Sequence, residues 1–201
     1  MICDEVMCGL GRTGEWFAVD GWGVVPDILT MAKGVTSAYL PLGVVAISPE
    51  IAASFNNRPF VGGLTYSGHP MCLAVAVATL RVFEDEQIVP HAKQMGVVMA
   101  AHLERLRQKH PSVGDSRSVG LFGAMELVKN KATKEPLVPY NGSHPAVEKM
   151  TAFLKQKGLY SYVHWNIVHT IPPLVITEEQ LDEAFAIFDE ALYITDEACD
   201  P

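Results

Sequence analysis

No hydrophobic run in this 201-residue sequence is long enough to cross a bilayer; the stretch Leu73 to Leu80 is typical of the longest and falls far short. The N-terminus, MICDEV, lacks a basic region followed by a long apolar core, so nothing in it points to export. Basic blocks are missing as well. Fifteen Lys and Arg are scattered among 23 acidic residues, and the net charge of −8 excludes the electrostatic footprint of a nucleic-acid binder. Cysteine is scarce: Cys3, Cys8, Cys72 and Cys199 form no CxxC pair and read as reduced thiols rather than a disulfide framework. No internal repeat or low-complexity tract occurs. The expectation is a cytoplasmic protein, with neither a membrane nor a nucleic acid as partner, in which a small anionic or zwitterionic ligand needs a locally built site.

A hydrophobic content of 49% is enough to supply a core for one large domain, or for one domain and part of another. Met1 to Val6 reads as the end of a buried strand that delivers two carboxylates, Asp4 and Glu5. Gly9, Gly11 and Gly14 then mark a flexible loop, Asp27 to Met31 a second strand ending just before Lys33, and Gly43 to Ile47 a third. Ser48-Pro49-Glu50 starts a short helix: a hydroxyl to cap free amides, a proline preset for the first turn, and an acid that suits the dipole. Helices are expected from Pro70 to about Glu86 and from about Val89 to Lys109. Beyond Pro111 the texture changes to short β-like pieces, Gly120 to Val128 and Leu159 to Ile171, around a helix near Pro145 to Lys157; Asn141-Gly142 is a turn. Thr177 to Gln180 fits a capping box, and Leu181, Ala184, Phe185, Phe188 and Leu192 recur at helical spacing behind it. The whole is an α/β body followed by a smaller α+β part.

Three places can carry chemistry. Asp4 and Glu5 stand where a strand ends, and the carboxyl ends of strands in open α/β sheets are where ligands bind; taken alone, such a pair is more often one loop cap and one solvated acid. Lys33, in the tetrapeptide MAKG, also follows a strand. Its apolar neighbours suggest partial desolvation, which lowers an amine's pKa and frees it for imine formation, although an isolated AKG is more often a surface lysine. Thr65 to Pro70 gathers hydroxyls at a helix N-terminus, as a phosphate requires; ordinary capping by Ser67 or Thr65 is the structural alternative. His69, His91, His102, His110, His144 and His169 show no pairing that suggests a metal.

Taken in order, DEVMCGLGRTGEWFA, PDILTMAKG, YLPLG, TYSGHPMCLAVAVATL and IPPLVITEEQLDEAF resemble the class III aminotransferases, fold type I enzymes dependent on pyridoxal phosphate. The likeness spans essentially the whole chain. Its most specific element is the acid pair with GRTG and a lysine 29 positions after the aspartate. The resemblance implies that residues 1–86 are the C-terminal part of a cofactor-binding large domain, with a mostly parallel sheet and helices. Residues 87–201 would be a connecting helix and a small C-terminal domain.

By the same resemblance Asp4 would hold the protonated pyridine nitrogen, Val6 would pack on the ring, and Lys33 would form an imine with the cofactor. Thr65 would bind the cofactor phosphate in the neighbouring subunit of a homodimer. Gly11, Arg12 and Gly14 look like shape-setting loop residues. The implied activity is transfer of an amino group from an amino acid, amine or ω-amino acid to a keto acid such as pyruvate, with ping-pong kinetics. An aminomutase of the same family and a fragment inactive by itself are the alternatives.

Two departures stand out. The family's Gly/Ser-rich phosphate loop and a ring-stacking aromatic residue, both in its N-terminal half, have no counterpart here, so the chain is expected to be truncated. Many relatives place an arginine before the PPL motif to hold a substrate carboxylate, and here Tyr160 to Asn166 stands there, with no arginine after Arg117. His164 and Trp165 either line the pocket or, the better reading, pack a half-buried strand.

Overall fold

The computed structural model describes residues 1–200, which divide into two compact units, Met1–His91 and Ala92–Pro201. The division falls inside the first turn of a long helix.

In the first unit, β1 (Ile2–Asp4) pairs in parallel with β2 (Ile28–Met31), and β2 pairs antiparallel with β3 (Val44–Ile47). The sheet is therefore mixed, with β2 at its centre. A parallel pair needs a crossover, and residues 5–27 supply it without an α-helix. The glycines of that crossover do not make it loose. Leu10 N–H donates to Trp16 O at 2.6 Å, Gly11 N–H to Glu15 O at 3.1 Å and Gly14 N–H to Gly11 O at 2.9 Å, so residues 10–16 close on themselves. Gly11 and Gly14 hold φ of 86° and 85°, the left-handed region open to glycine at little cost. The expected flexible loop is thus an ordered one.

Ser48 caps α1 (Pro49–Ala53) by accepting from Ile51 N–H at 3.3 Å. α2 (Pro70–Asp85) packs on the turn that follows β2 and buries Ala76 and Phe83; Leu10, Leu29 and Val35 are buried in the same unit. The Phe83 ring lies 5.9 Å from that of Trp16.

α3 (Ile88–Lys109) leads into the second unit, an antiparallel sheet ordered β4 (Val113–Val119), β5 (Phe122–Asn130), β8 (Ile167–Thr170), β7 (Val163–His164), with β6 (Glu135–Pro136) on the side of β5. Strand β4 has no apolar pattern to betray it: VGDSRSV is an edge strand with alternate residues in water. The run expected from Gly120 is instead the second arm of a hairpin, since Val119 pairs with Phe122 and Gly120, at φ 56°, makes the turn. Leu159 to Ile171 likewise divides, turning at Trp165-Asn166 so that His164 pairs with Ile167.

α4 (Pro145–Gln156) and α5 (Glu178–Asp196) complete the unit, and the capping box at Thr177 and Gln180 is made in both directions. Met99, Leu103, Met125, Leu127, Met150, Leu154, Leu181, Phe185 and Leu192 form one continuous core among the helices and the sheet. At roughly 25 cal/mol per Å² of apolar surface, each such side chain contributes about 1.5–3 kcal/mol when buried. No helix among the described residues is long and apolar enough to cross a membrane.

Candidate active site

Because β1 and β2 run in parallel, with Asp4 opposite Thr30, Asp4 and Lys33 leave the sheet at the same, carboxyl, end. Asp4 is exposed there, and its Oδ1 accepts from the N–H of Val6 at 3.0 Å. That bond turns the chain at the strand end and sets Val6 directly beside the carboxylate. The Lys33 amine donates to Sδ of Met7, the next residue of the same turn. Asp4, Val6 and Lys33, three of the four residues singled out in the sequence, are thus brought together.

Lys33 stands at φ 46°, in the left-handed region that side chains with a Cβ avoid. Ser37 and Ala38 repeat this at 48° and 63°. Each such residue costs about 1–2 kcal/mol, and conformations of this kind persist where the surroundings over-determine them, with a concentration at functional sites. The surroundings are visible. A Cβ on Gly34 would lie 3.1 Å from Cβ of Leu10, so the glycine of MAKG lets the lysine turn sit against the Leu10 side chain. Lys33 is nonetheless exposed, and the partial desolvation expected of it is not provided by this chain.

Glu5 goes the other way from Asp4. It is only 4% exposed, and its carboxylate accepts from Ala18 N–H through Oε2 and from Val19 N–H through Oε1, both at 3.0 Å. The two acids therefore divide as a buried loop cap and an exposed carboxylate. Burial raises the pKa of Cys8 nearby, and the charges of Glu5 and Asp4 add to the shift, which disfavours the thiolate. Arg12 of the GRTG loop is half-buried, and that burial lowers its pKa.

Thr65 is exposed in the segment before α2. The capping alternative fails for it. His69 occupies the N-cap of α2 without a side-chain hydrogen bond, and Ser67 Oγ instead accepts from Leu64 N–H at 3.2 Å. The N-cap residue thus leaves the amides at this helix start without a side-chain cap.

In the second unit, Trp165 packs on Tyr140 with ring centres 4.4 Å apart and lines a groove of about 380 Å³ with α4 residues such as Val147 and Thr151. His164 stacks on Tyr162. Trp165 thus both packs against the chain outside its hairpin and lines a groove. No group of three or more metal-ligating side chains occurs among the described residues.

Sequence reading alone missed Met7, whose contact with Lys33 no pattern announces, and the burial of Glu5. For Glu5 a signal existed, since one acid of a DE pair at a strand end is commonly a cap.

A carboxylate and a primary amine at the carboxyl end of neighbouring parallel strands, with a helix start elsewhere free to meet an anion, define a site for a small ligand on an α/β scaffold. Comparison with known proteins resolves which. Residues 1–192 match the aminotransferase class-III family, and the chain belongs to it. It is 40% identical over 192 residues to the uncharacterized aminotransferase YhxA of Bacillus subtilis, covering 90% of this chain and 41% of that protein. It is 38% identical over 195 residues to the putrescine–pyruvate aminotransferase of Pseudomonas aeruginosa, covering 95% and 41%. The structure of taurine:2-oxoglutarate aminotransferase from Bifidobacterium kashiwanohense, in complex with PLP and glutamate, superposes with a TM-score of 0.94 at 40% identity, over 100% of this chain and 45% of that one. The chain therefore spans less than half the length of these relatives, and its fold is part of a fold type I enzyme.

Proposed function

We propose that the chain carries the lysine-bearing part of a pyridoxal-phosphate-dependent transaminase. It would take an amino group from an amine or ω-amino acid and deliver it to a keto acid such as pyruvate. The observation that carries this reading is the placement of Asp4 and Lys33 at one end of the β1–β2 pair, with Lys33 held left-handed against the turn that follows Asp4. The relatives that act on putrescine and taurine with pyruvate support the choice of donor and acceptor class.

The residues fit the cofactor's chemistry. A carboxylate suits a protonated ring nitrogen, a primary amine suits an aldehyde, and the Thr65 hydroxyl, in the segment that leads into the uncapped start of α2, suits a phosphate. When bound, pyridoxal phosphate supplies the aldehyde and an electron-withdrawing ring. Asp4 would hold the ring-nitrogen proton, with Val6 packed beside it. Lys33 would hold the cofactor through its amine, and its Nζ is the group that would move the proton at the donor carbon that carries nitrogen.

The donor would leave as a carbonyl compound before the keto acid enters and departs as an amino acid, so ping-pong kinetics are expected. Thr65 would serve the neighbouring site of a homodimer, as the resemblance to the family implies. Residues 1–86 belong to the cofactor domain and residues 87–201 to the connecting helix and small domain of a cytoplasmic enzyme.

The test is to incubate the chain with pyridoxal phosphate, reduce with borohydride and map the modified peptide by mass spectrometry. Label confined to Lys33, and lost in Lys33→Ala, is expected. Label scattered over the lysines, or none, overturns the reading.

A further inference from the structure

Glu5 is adjacent in sequence to Asp4, yet it does a different job, and four hydrogen bonds define it. Its N–H donates to Thr30 O at 2.9 Å, extending the β1–β2 ladder by one residue. Its carbonyl accepts from Gly9 N–H at 3.0 Å, closing the turn that contains Val6, Met7 and Cys8. Its two carboxylate oxygens take the N–H groups of Ala18 and Val19, where a short helical turn (Ala18–Trp22) begins.

A buried anion facing two amides at 3.0 Å is a strong arrangement, because hydrogen bonds to charged groups are about twice as favourable as neutral ones. Through its backbone Glu5 ties the end of β1 to β2 and closes the 6–9 turn, and through its side chain it joins both to Ala18 and Val19, just after the closed 10–16 loop. Everything that faces Lys33 hangs from Glu5. Asp4 precedes Glu5, the Val6 N–H that orients Asp4 follows it, and the Met7 sulfur that meets the Lys33 amine lies in the turn that Glu5 closes. The close fit leaves no room for adjustment: a Cβ on Gly9 would come within 2.8 Å of the Glu5 carbonyl oxygen.

We infer that Glu5 is a positioning residue of the site, a buried carboxylate that fixes Asp4 and the Val6–Met7 turn opposite Lys33 by clamping the Ala18 and Val19 amides. The inference rests on the transaminase reading for what the site does, and on geometry alone for what Glu5 does to it. Glu5→Gln is the sharp variant. It preserves shape but turns an NH2 toward one of the two amides, so one oxygen acceptor is lost and two donors oppose each other. Glu5→Asp keeps the charge on a stem too short to meet both amides in the same place.

The experiment has two readouts on the same three proteins. Amide hydrogen exchange by mass spectrometry reads the clamp itself, without cofactor. Wild type protects residues 6–9 and 17–19; Glu5→Gln loses that protection, Glu5→Asp loses part of it, and peptides from the buried face of α5 exchange unchanged. The second readout is borohydride trapping at limiting pyridoxal phosphate. Lys33 labelling falls about tenfold in Glu5→Gln, as one lost charge-assisted bond implies, and partly recovers in Glu5→Asp. Wild-type protection of residues 6–9 in Glu5→Gln overturns the inference whatever the labelling shows. Wild-type labelling by a variant that has lost protection overturns it too, because the clamp would then not govern the site. Failure of wild type to label Lys33 sinks the transaminase reading, while the exchange pattern still decides the role of Glu5.

Discussion

Lys33 shows how much a single residue depends on its immediate neighbours. Its left-handed backbone aims the amine toward Met7, and the glycine after it lets the turn close on Leu10. Gly9 is the counterpart on the other side. Gly9→Ala must push a Cβ against backbone, 2.8 Å from Glu5 O and 3.2 Å from Glu5 Cβ, which a flexible side chain cannot relieve. The expected outcome is a loss of about 1–3 kcal/mol in chemical denaturation, the range for overpacking, together with weaker reductive labelling of Lys33. Unchanged labelling and stability would show that the 6–9 turn tolerates displacement. The division of Asp4 from Glu5 was half legible: the pair marked the strand end, but which acid would be buried depended on where residues 18 and 19 come back to meet the chain.

Among the elements, α3 and α5 are joined by a buried ionic cluster that the sequence did not announce. His110, fully buried just after α3, has Nε2 2.7 Å from Asp189 Oδ1 and Nδ1 2.7 Å from Asp196 Oδ2, both on α5. A neutral imidazole donates one proton only, so two such contacts to carboxylates call for the imidazolium. Lys109 and Arg105 of α3 also face Asp189, at 2.6 and 3.1 Å, and Tyr193 of α5 meets the imidazole edge. Burial pulls the His110 pKa down, but the bonds to Asp196 and Asp189 outweigh it and the net shift is upward. Burial likewise opposes ionisation of Asp189, and Lys109, His110 and Arg105 hold it at about 2. The sign follows for each group. The histidine's contribution is complete below its unfolded value near pH 6.5 and is lost as pH rises through the raised folded value; the aspartate's is complete above about 3.9 and lost as pH falls toward 2. Stability of the second unit should therefore plateau between about pH 4 and 6.5 and decline on both sides. His110→Gln should remove the alkaline decline and cost about 3–5 kcal/mol, the loss seen when one partner of a buried pair is deleted. Urea denaturation as a function of pH, followed by Tyr193 or Trp165 fluorescence, measures both; a wild-type curve flat from pH 6 to 9 refutes the assignment.

For the whole molecule, the exposed apolar surface of α2 matters most. Leu73, Val77 and Leu80 recur at helical spacing on a face left in water, while Ala76 and Phe83 of the same helix are buried. The proposed homodimer gives that face something to cover. Light scattering should return the mass of two chains, and Leu73→Lys with Val77→Lys should return that of one, with α2 still formed by circular dichroism. A wild-type monomer at working concentrations would remove this support for a Thr65 shared between subunits.

What the sequence determined by itself were the features set by short-range physics. Helix starts at Ser48, Pro70 and Thr177 follow from capping and proline chemistry within four residues, and the strands before Lys33 and at Val44–Ile47 follow from local apolar runs. The family's spacing implied that Asp4 and Lys33 lie close together, and the parallel β1–β2 pair places both at its carboxyl end. Tertiary structure alone decided what depends on residues distant in the chain. Edge strand β4 is held by β5 rather than by its own composition. Glu5 is buried because residues 18 and 19 offer it two amides, and His110 is enclosed because α5 returns Asp189 and Asp196 to it from 79 and 86 positions away. Local pattern carries the energy of a turn or a cap, whereas the burial of a charge is fixed only when separate segments close around it.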